Sequence, residues 1–373
     1  MKKIVTITIV FFSLFFGISC VDLSDDVYDV DTEIVDEMSL RKIPAVVTCI
    51  VNKQGIQWSG NYGQQNVEFT TQVSTESIFT LMSISKLFLA VAVMQLWENN
   101  LLDLDADINN YLPFDVRNPY FPDKKITTKM LLTHTSGLAW PAEEDRIPDF
   151  NHFYSNEEPP IIGDWLPEYI LPTGIQYQKT VWKKFAPGEM YLYSNIATSL
   201  LGLIVEQISG QDFRDYCSEK ILIPLEMNNS AFRLKNLNSD LMVTPFDDNN
   251  NPMKYYTCRH YPAGFLNTNA EDFSNFVVAC LNYGEFKGKY ILKKSSMLKM
   301  FEVQNTGTGH AFLWLNILGD SIGKKGGGTG FSTWAEWHLE NETAFFLFTN
   351  KVNEAVWPGG RIYELVKYKC FNP

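Results

Sequence analysis

Ser83 and Lys86 stand three residues apart in Ser83-Ile84-Ser85-Lys86, at the mouth of a run from Leu87 to Trp97 that is apolar on nearly every face. Such a run predicts a centrally buried helix. Positions i and i+3 share one helix face, so the Lys86 ammonium stands beside the Ser83 hydroxyl. A desolvated lysine there lowers the cost of removing the serine proton, which is what a serine nucleophile requires. The bland alternative is a helix-start serine beside a surface lysine, and four residues of such common types recur by chance. Two further segments bear on the choice.

Tyr193-Ser194-Asn195 opens a second helix, with Ile196-Ala197, Leu200-Leu201, Leu203-Ile204-Val205 and Ile208 as its apolar positions and Gly210 as its stop. Lys324-Lys325-Gly326 runs into Gly327-Gly328-Thr329-Gly330. Taken singly, Tyr193 reads as a core tyrosine, Asn195 as a helix cap and the lysine pair as a solvated turn. Taken in order, SxxK, YxN and a basic residue before glycine resemble the serial pattern of the serine β-lactamase and penicillin-binding-protein superfamily. Leu131-Leu132-Thr133-His134-Thr135-Ser136-Gly137-Leu138 resembles a block of its class C branch, which includes D-alanyl-D-alanine carboxypeptidases, D-aminopeptidases and small esterases. Pro187-Gly188-Glu189, Ser209-Gly210-Gln211-Asp212-Phe213 and Pro262-Ala263-Gly264-Phe265-Leu266 look like the same family, so the resemblance covers about residues 40 to 355.

The resemblance implies roles residue by residue. Ser83 attacks a carbonyl, Lys86 and Tyr193 share the proton relay, and Asn195 orients a substrate amide. Lys324 supplies positive charge next to Tyr193, Gly326 follows in the motif, and the N–H groups of Ser83 and Gly327 form the oxyanion hole. Lys325 replaces the usual Thr or Ser, whose hydroxyl helps to hold a substrate carboxylate. Adjacent strand residues face opposite sides, which turns Lys325 away from the cleft. His134 is read as holding a turn rather than acting as a base, and Glu226, where the family carries glycine, as part of a remote surface turn. The function implied is a serine hydrolase acting through an acyl-enzyme on a small ester, amide or D-amino-acid peptide. Acyl transfer to a small alcohol or amine, β-lactam hydrolysis and a binding protein without turnover are the rival readings.

These residues need a framework, and 373 residues suffice for a substantial core. The net charge of -12 argues against a nucleic-acid partner or an anionic membrane held by long-range attraction. Lys2-Lys3 followed by apolar Ile4 to Phe16 reads as a signal peptide, too short for the about 20 residues of a membrane span. Gly17-Ile18-Ser19-Cys20 resembles a bacterial lipobox, which predicts lipidation at Cys20, a membrane anchor and an extracytoplasmic location in the bacterial envelope. The expected division is 1–19 signal peptide, 20–38 flexible acidic tether, and 39–373 one catalytic domain. Cys49, Cys217, Cys258, Cys280 and Cys370 match no zinc or CxxC spacing; Cys49 and Cys280 read as core residues. No metal or cofactor is implied.

Ile43 to Ile50 and Ile56 to Asn61 read as a hairpin, as do the runs 333–339 and 343–349 around Glu340-Asn341-Glu342. Asn353 to Tyr368 reads as a closing helix interrupted by Pro358-Gly359-Gly360, and Thr268 to Glu271 as a capping box. Strands at both ends with helices between predict an α+β fold: an antiparallel sheet formed by the N- and C-terminal segments, flanking helices, and an inserted mainly helical region. The sheet-bearing part is placed at about 39–100 and 262–373, the insertion at about 101–261. The Pro- and aromatic-rich stretch from Trp140 to Trp182 is expected to cover the cleft and select substrate.

Overall fold

The computed structural model describes residues 29–66, 71–140, 152–304, 307–317 and 321–372. The signal segment and Cys20 lie outside the described residues. Helix α1 (Val30–Arg41) begins where the tether was expected to continue. Val30, Ile34 and Met38 repeat at helical spacing and are buried, while Asp29 caps the start by accepting from the N–H of Asp31. The acidic composition of this stretch belongs to the outer face of a docked helix, so the tether reading fails from residue 30 onward.

The chain then forms β1 (Ala45–Asn52), β2 (Gly55–Asn66), β3 (Thr71–Gln72) and β4 (Phe79–Thr80). Helices α2 (Ser85–Glu98), α3 (Thr128–Leu132), α4 (Ile162–Ile170), α5 (Asn195–Ser209) and α6 (Phe213–Cys217) follow, with β5 (Asn267–Thr268) and α7 (Ala270–Leu281). The C-terminal part holds β6 (Glu285–Phe286), β7 (Lys289–Tyr290), α8 (Lys294–Phe301), β8 (Leu315–Ile317), β9 (Ser321–Gly328), β10 (Phe331–His338), β11 (Thr343–Thr349) and α9 (Arg361–Phe371). Seven strands make one antiparallel sheet in the order β3-β2-β1-β11-β10-β9-β8, so the two ends of the chain meet where β1 pairs with β11. The expected α+β architecture is what the chain adopts.

Period-two alternation divides the sheet's side chains between two cores. Val46, Ile50, Phe345 and Leu347 pack with α1 and α9, whereas Val47, Cys49, Val51, Phe346 and Phe348 face α2 and α7. Helix α2 is buried from Ser85 to Leu96, which is why its sequence is apolar all round. The closing helix starts at Arg361, because Gly359 and Gly360 end a short 3-10 turn at Glu354–Val356 first. Helix α7 is capped by Asn269, whose side chain accepts from the N–H of Asp272, rather than by a Thr268–Glu271 box.

The stretch from Trp140 to Trp182 divides. Residues 141–151 lie outside the described residues, but α4 within it buries Ile162, Trp165, Leu166 and Tyr169 against α5 and the core. That part is core rather than a cover, its periodicity having been masked by Pro167 in the helix.

Candidate active site

Ser83 lies on a 3-10 turn, Met82–Ile84, that leads directly into α2. Leu81 anchors the turn from both sides: its N–H donates to the Leu266 carbonyl at 2.9 Å, and its own carbonyl accepts from Thr333 Oγ1 at 2.8 Å. Met82 is left-handed at φ 49°, a conformation costly for a side-chain-bearing residue and one that accumulates at functional turns. Strand β9 passes close by because it is glycine there: a Cβ on Gly326 would overlap Leu81 O and Thr333 Oγ1, and one on Gly328 would press the Met82 sulfur.

Three side chains meet at the serine. Lys86 Nζ donates to Ser83 Oγ at 3.1 Å and also bonds the Ala263 carbonyl, while Tyr193 OH lies 2.7 Å from Ser83 Oγ. Lys86 is fully buried. Burial, helped by the charge of Lys324, holds its pKa well below that of a free lysine, so it is suited to take a proton. Burial pushes the Tyr193 phenol above its usual range, against the opposing effect of the Ser83 hydrogen bond. Tyr193 is delivered by the start of α5, where Ser194 caps the helix by accepting from the N–H of Ala197. Lys324 Nζ lies 5.7 Å from the Tyr193 ring centroid, donates to the Leu313 carbonyl at 2.6 Å, and is brought down to about 7 by burial.

Two pockets adjoin Ser83. One, of about 310 Å³, has Asn195 and Gly327 beside Trp140, Phe153, Tyr256 and Phe265. Among the described residues no Asp, Glu, Lys or Arg lines it. Asn195 Oδ1 is shut from solvent without a hydrogen-bond partner among the described residues, an acceptor left available to an incoming group. The second pocket, of about 330 Å³, holds Tyr193, His310, Lys324, Lys325 and Trp357, and again no carboxylate among the described residues.

The register explains the two lysines. Lys324 pairs with Ala335 and points to the α2 side, whereas Lys325 pairs with Trp334 and points to the opposite one. Lys325 does not leave the cleft altogether, as its strand position alone would suggest. Its ammonium rests 3.3 Å from the centroid of the Trp357 ring, and both residues form the rim of the basic pocket. The indole N–H of Trp357 is tied to the carbonyls of Gly326 and Thr333, each at 3.2 Å. Ser83, Lys86, Tyr193, Asn195, Lys324, Lys325, Gly326 and Gly327 are thus brought to one place. Phe153, Tyr256, His310 and Trp357 were not legible beforehand, since an aromatic residue in a loop looks like any other core aromatic in sequence.

The beta-lactamase family model matches residues 30–365. Protein flp of Staphylococcus aureus is 25% identical over 266 residues, covering 69% of this chain and 50% of that protein. The chain therefore spans about half the length of the curated relatives it matches. Among solved structures, the octameric penicillin-binding protein homologue from Pyrococcus abyssi matches with a TM-score of 0.75 at 23% identity, over 93% of this chain and 78% of that one. A beta-lactamase/D-alanine carboxypeptidase from Pseudomonas syringae matches with a TM-score of 0.72 at 19% identity, over 92% of this chain and 97% of that one. At these identities the structural likeness speaks for the fold. The family model spans all three motifs that converge on Ser83, and with it the chain belongs to the beta-lactamase family of serine hydrolases.

Proposed function

We propose that the protein hydrolyses a small ester, amide or D-amino-acid peptide through an acyl-enzyme on Ser83. The observation that carries the reading is the placement of Ser83 Oγ within hydrogen-bond reach of both a buried, low-pKa lysine and a phenol. The Ser83 proton passes to the Lys86–Tyr193 pair as Oγ bonds the carbonyl carbon, and the N–H groups of Ser83 and Gly327 stabilise the oxyanion. One such donor is worth about 3 kcal/mol. Tyr193 returns the proton to the leaving oxygen or nitrogen as its bond to carbon breaks. Water then attacks the ester on Ser83 by the same relay in reverse. Asn195 Oδ1 accepts a substrate N–H where there is one, and Lys324 favours a transient phenolate on Tyr193.

The uncharged aromatic pocket favours acyl groups with apolar bodies. Lys325 in place of a hydroxyl residue weakens the case for a β-lactam. A panel of chromogenic esters, D-amino-acid amides and a cephalosporin, followed kinetically and by intact-protein mass spectrometry, tests this. Esters are expected to show the highest kcat/KM, with a mass increase equal to the acyl group. Cephalosporin turnover well above that of every ester would overturn the ranking, and turnover without any covalent species would overturn the acyl-enzyme. Lipidation at Cys20 and an envelope location belong to the same proposal and are supported by the sequence before residue 21. A Cys20→Ala form is expected to leave the membrane fraction, and unchanged attachment would reject the anchor.

A further inference from the structure

His134 is part of the block from Leu131 to Leu138 that the reaction above does not use, and it is almost wholly buried. It brackets Tyr193 from both sides in the chain. Its carbonyl accepts from the N–H of Leu192 at 2.7 Å, and its ring Nδ1 accepts from the N–H of Ser194 at 3.3 Å. Its ring packs on the Tyr193 ring, centroids 4.6 Å apart, with Tyr191 against it edge-on at 5.9 Å. The neighbouring residues of the block continue the attachment: Thr135 O accepts from Gly188, and Ala139 N–H donates to Val181. The block and the segment leading to Tyr193 are therefore laced together, and His134 is the point of lacing nearest the reacting hydroxyl.

An acceptor at Nδ1 places the proton of a neutral imidazole on Nε2. Nε2 is buried and has no hydrogen-bond partner among the described residues. A protonated ring would have to give up the Ser194 bond and set another positive charge among Lys86, Lys324 and His310. Burial and those charges hold the imidazole neutral, far below its ordinary pKa. A backbone at φ 56° adds the requirement for a residue that tolerates the left-handed region.

We infer that His134 is a positioning residue for Tyr193, holding the phenol on Ser83 through the Ser194 N–H. The inference rests on the proposed role of Tyr193 in proton transfer. Asparagine and glutamine differ in the reach of the acceptor, and because Gln tolerates the left-handed backbone less well than Asn, melting temperatures are compared alongside to separate that strain. Both lose the ring, but the Oδ1 of Asn replaces Nδ1, whereas the acceptor of Gln lies one atom too far out. His134→Asn is expected to keep kcat within about threefold, and His134→Gln to lose about ten- to a hundredfold in kcat with KM changed less than threefold. In a Tyr193→Phe background, His134→Gln should cost less than threefold, because the group it positions is gone. Equal losses for Asn and Gln at equal melting temperature, or an undiminished Gln effect in the Phe background, would overturn the assignment. If Tyr193→Phe itself left kcat unchanged while Ser83 still formed an adduct, the reading of Tyr193 would fail instead.

Discussion

Lys86 and Tyr193 both contact Ser83 Oγ, so each controls the same proton. Their substitutions should be far from additive: Lys86→Ala with Tyr193→Phe is expected to be little slower than the worse single variant, and simple multiplication of the two losses would assign them separate tasks. Lys324 shows what the site costs the fold. Its pKa is brought from the ordinary 10.5 to about 7 by burial, so the unfolded chain binds its proton more readily than the folded one. That cost is absent above pH 10.5, grows as pH falls, and levels off below about 7. Once levelled off it is worth about 5 kcal/mol, the drop from 10.5 to about 7 at 1.4 kcal/mol per unit. Lys324→Met orphans the Leu313 carbonyl, a loss of about 1–3 kcal/mol, and should still raise stability at pH 7 while kcat/KM falls on the order of a hundredfold. Melting curves at pH 7 and pH 10 check the sign, since the gain should shrink at the higher pH; a variant less stable at pH 7 than at pH 10, relative to the parent, contradicts it.

At the level of elements, the site depends on β9 staying close to the turn that bears Ser83, and Glu336 on β10 holds the outer side of that arrangement. Fully buried, its carboxylate accepts from Ser321 at the start of β9 and from Trp334, and is met by Tyr363 and Lys367 of α9. Burial alone would raise its pKa, but the His338 ring 3.0 Å away, then the Lys367 charge and the hydrogen bonds from Tyr363 and Ser321, overcome it and hold the pKa down at about 2, below the ordinary 4.5. A depressed carboxyl contributes stability that is present above pH 4.5 and lost as pH falls toward 2, here about 3 kcal/mol. Denaturant titration of Glu336→Gln should show a loss of about 2–4 kcal/mol at pH 7 that narrows at pH 3, and a loss independent of pH would refute the carboxylate's role. Little of this was legible in sequence. The strands of both hairpins announce themselves by apolar runs around turn residues, the helix after Ser83 by an unbroken apolar run, and the helix after Tyr193 by its spaced apolar positions and terminal glycine. Helix α1 was hidden by acidic residues on its exposed face and α4 by Pro167, because composition and a single breaker obscure a buried stripe that only tertiary contact reveals.

Across the whole molecule, the motifs are legible because their chemistry fixes residue type, and their convergence follows from topology. The sheet joins the chain's two ends at β1 and β11, which sets β9 beside the start of α2, while α5 brings Tyr193 from the central helical region. What the sequence withholds is the lining: Trp140, Phe153 and Tyr256 converge on one side of Ser83, and Lys325 and Trp357 on the other, from loops and strand faces without a shared pattern. The central claim is that this convergence makes one serine reactive among several. Ser85 Oγ accepts from the Leu266 N–H in the core and Ser136 Oγ from that of Leu138, whereas Ser83 Oγ is the one that Lys86 Nζ reaches among the described residues. The most direct measurement is peptide mapping by mass spectrometry after treatment with a fluorophosphonate. A single adduct on Ser83, absent from a folded Ser83→Ala protein, is the result expected; an adduct on Ser85 or Ser136, or labelling that survives Ser83→Ala, would contradict the account.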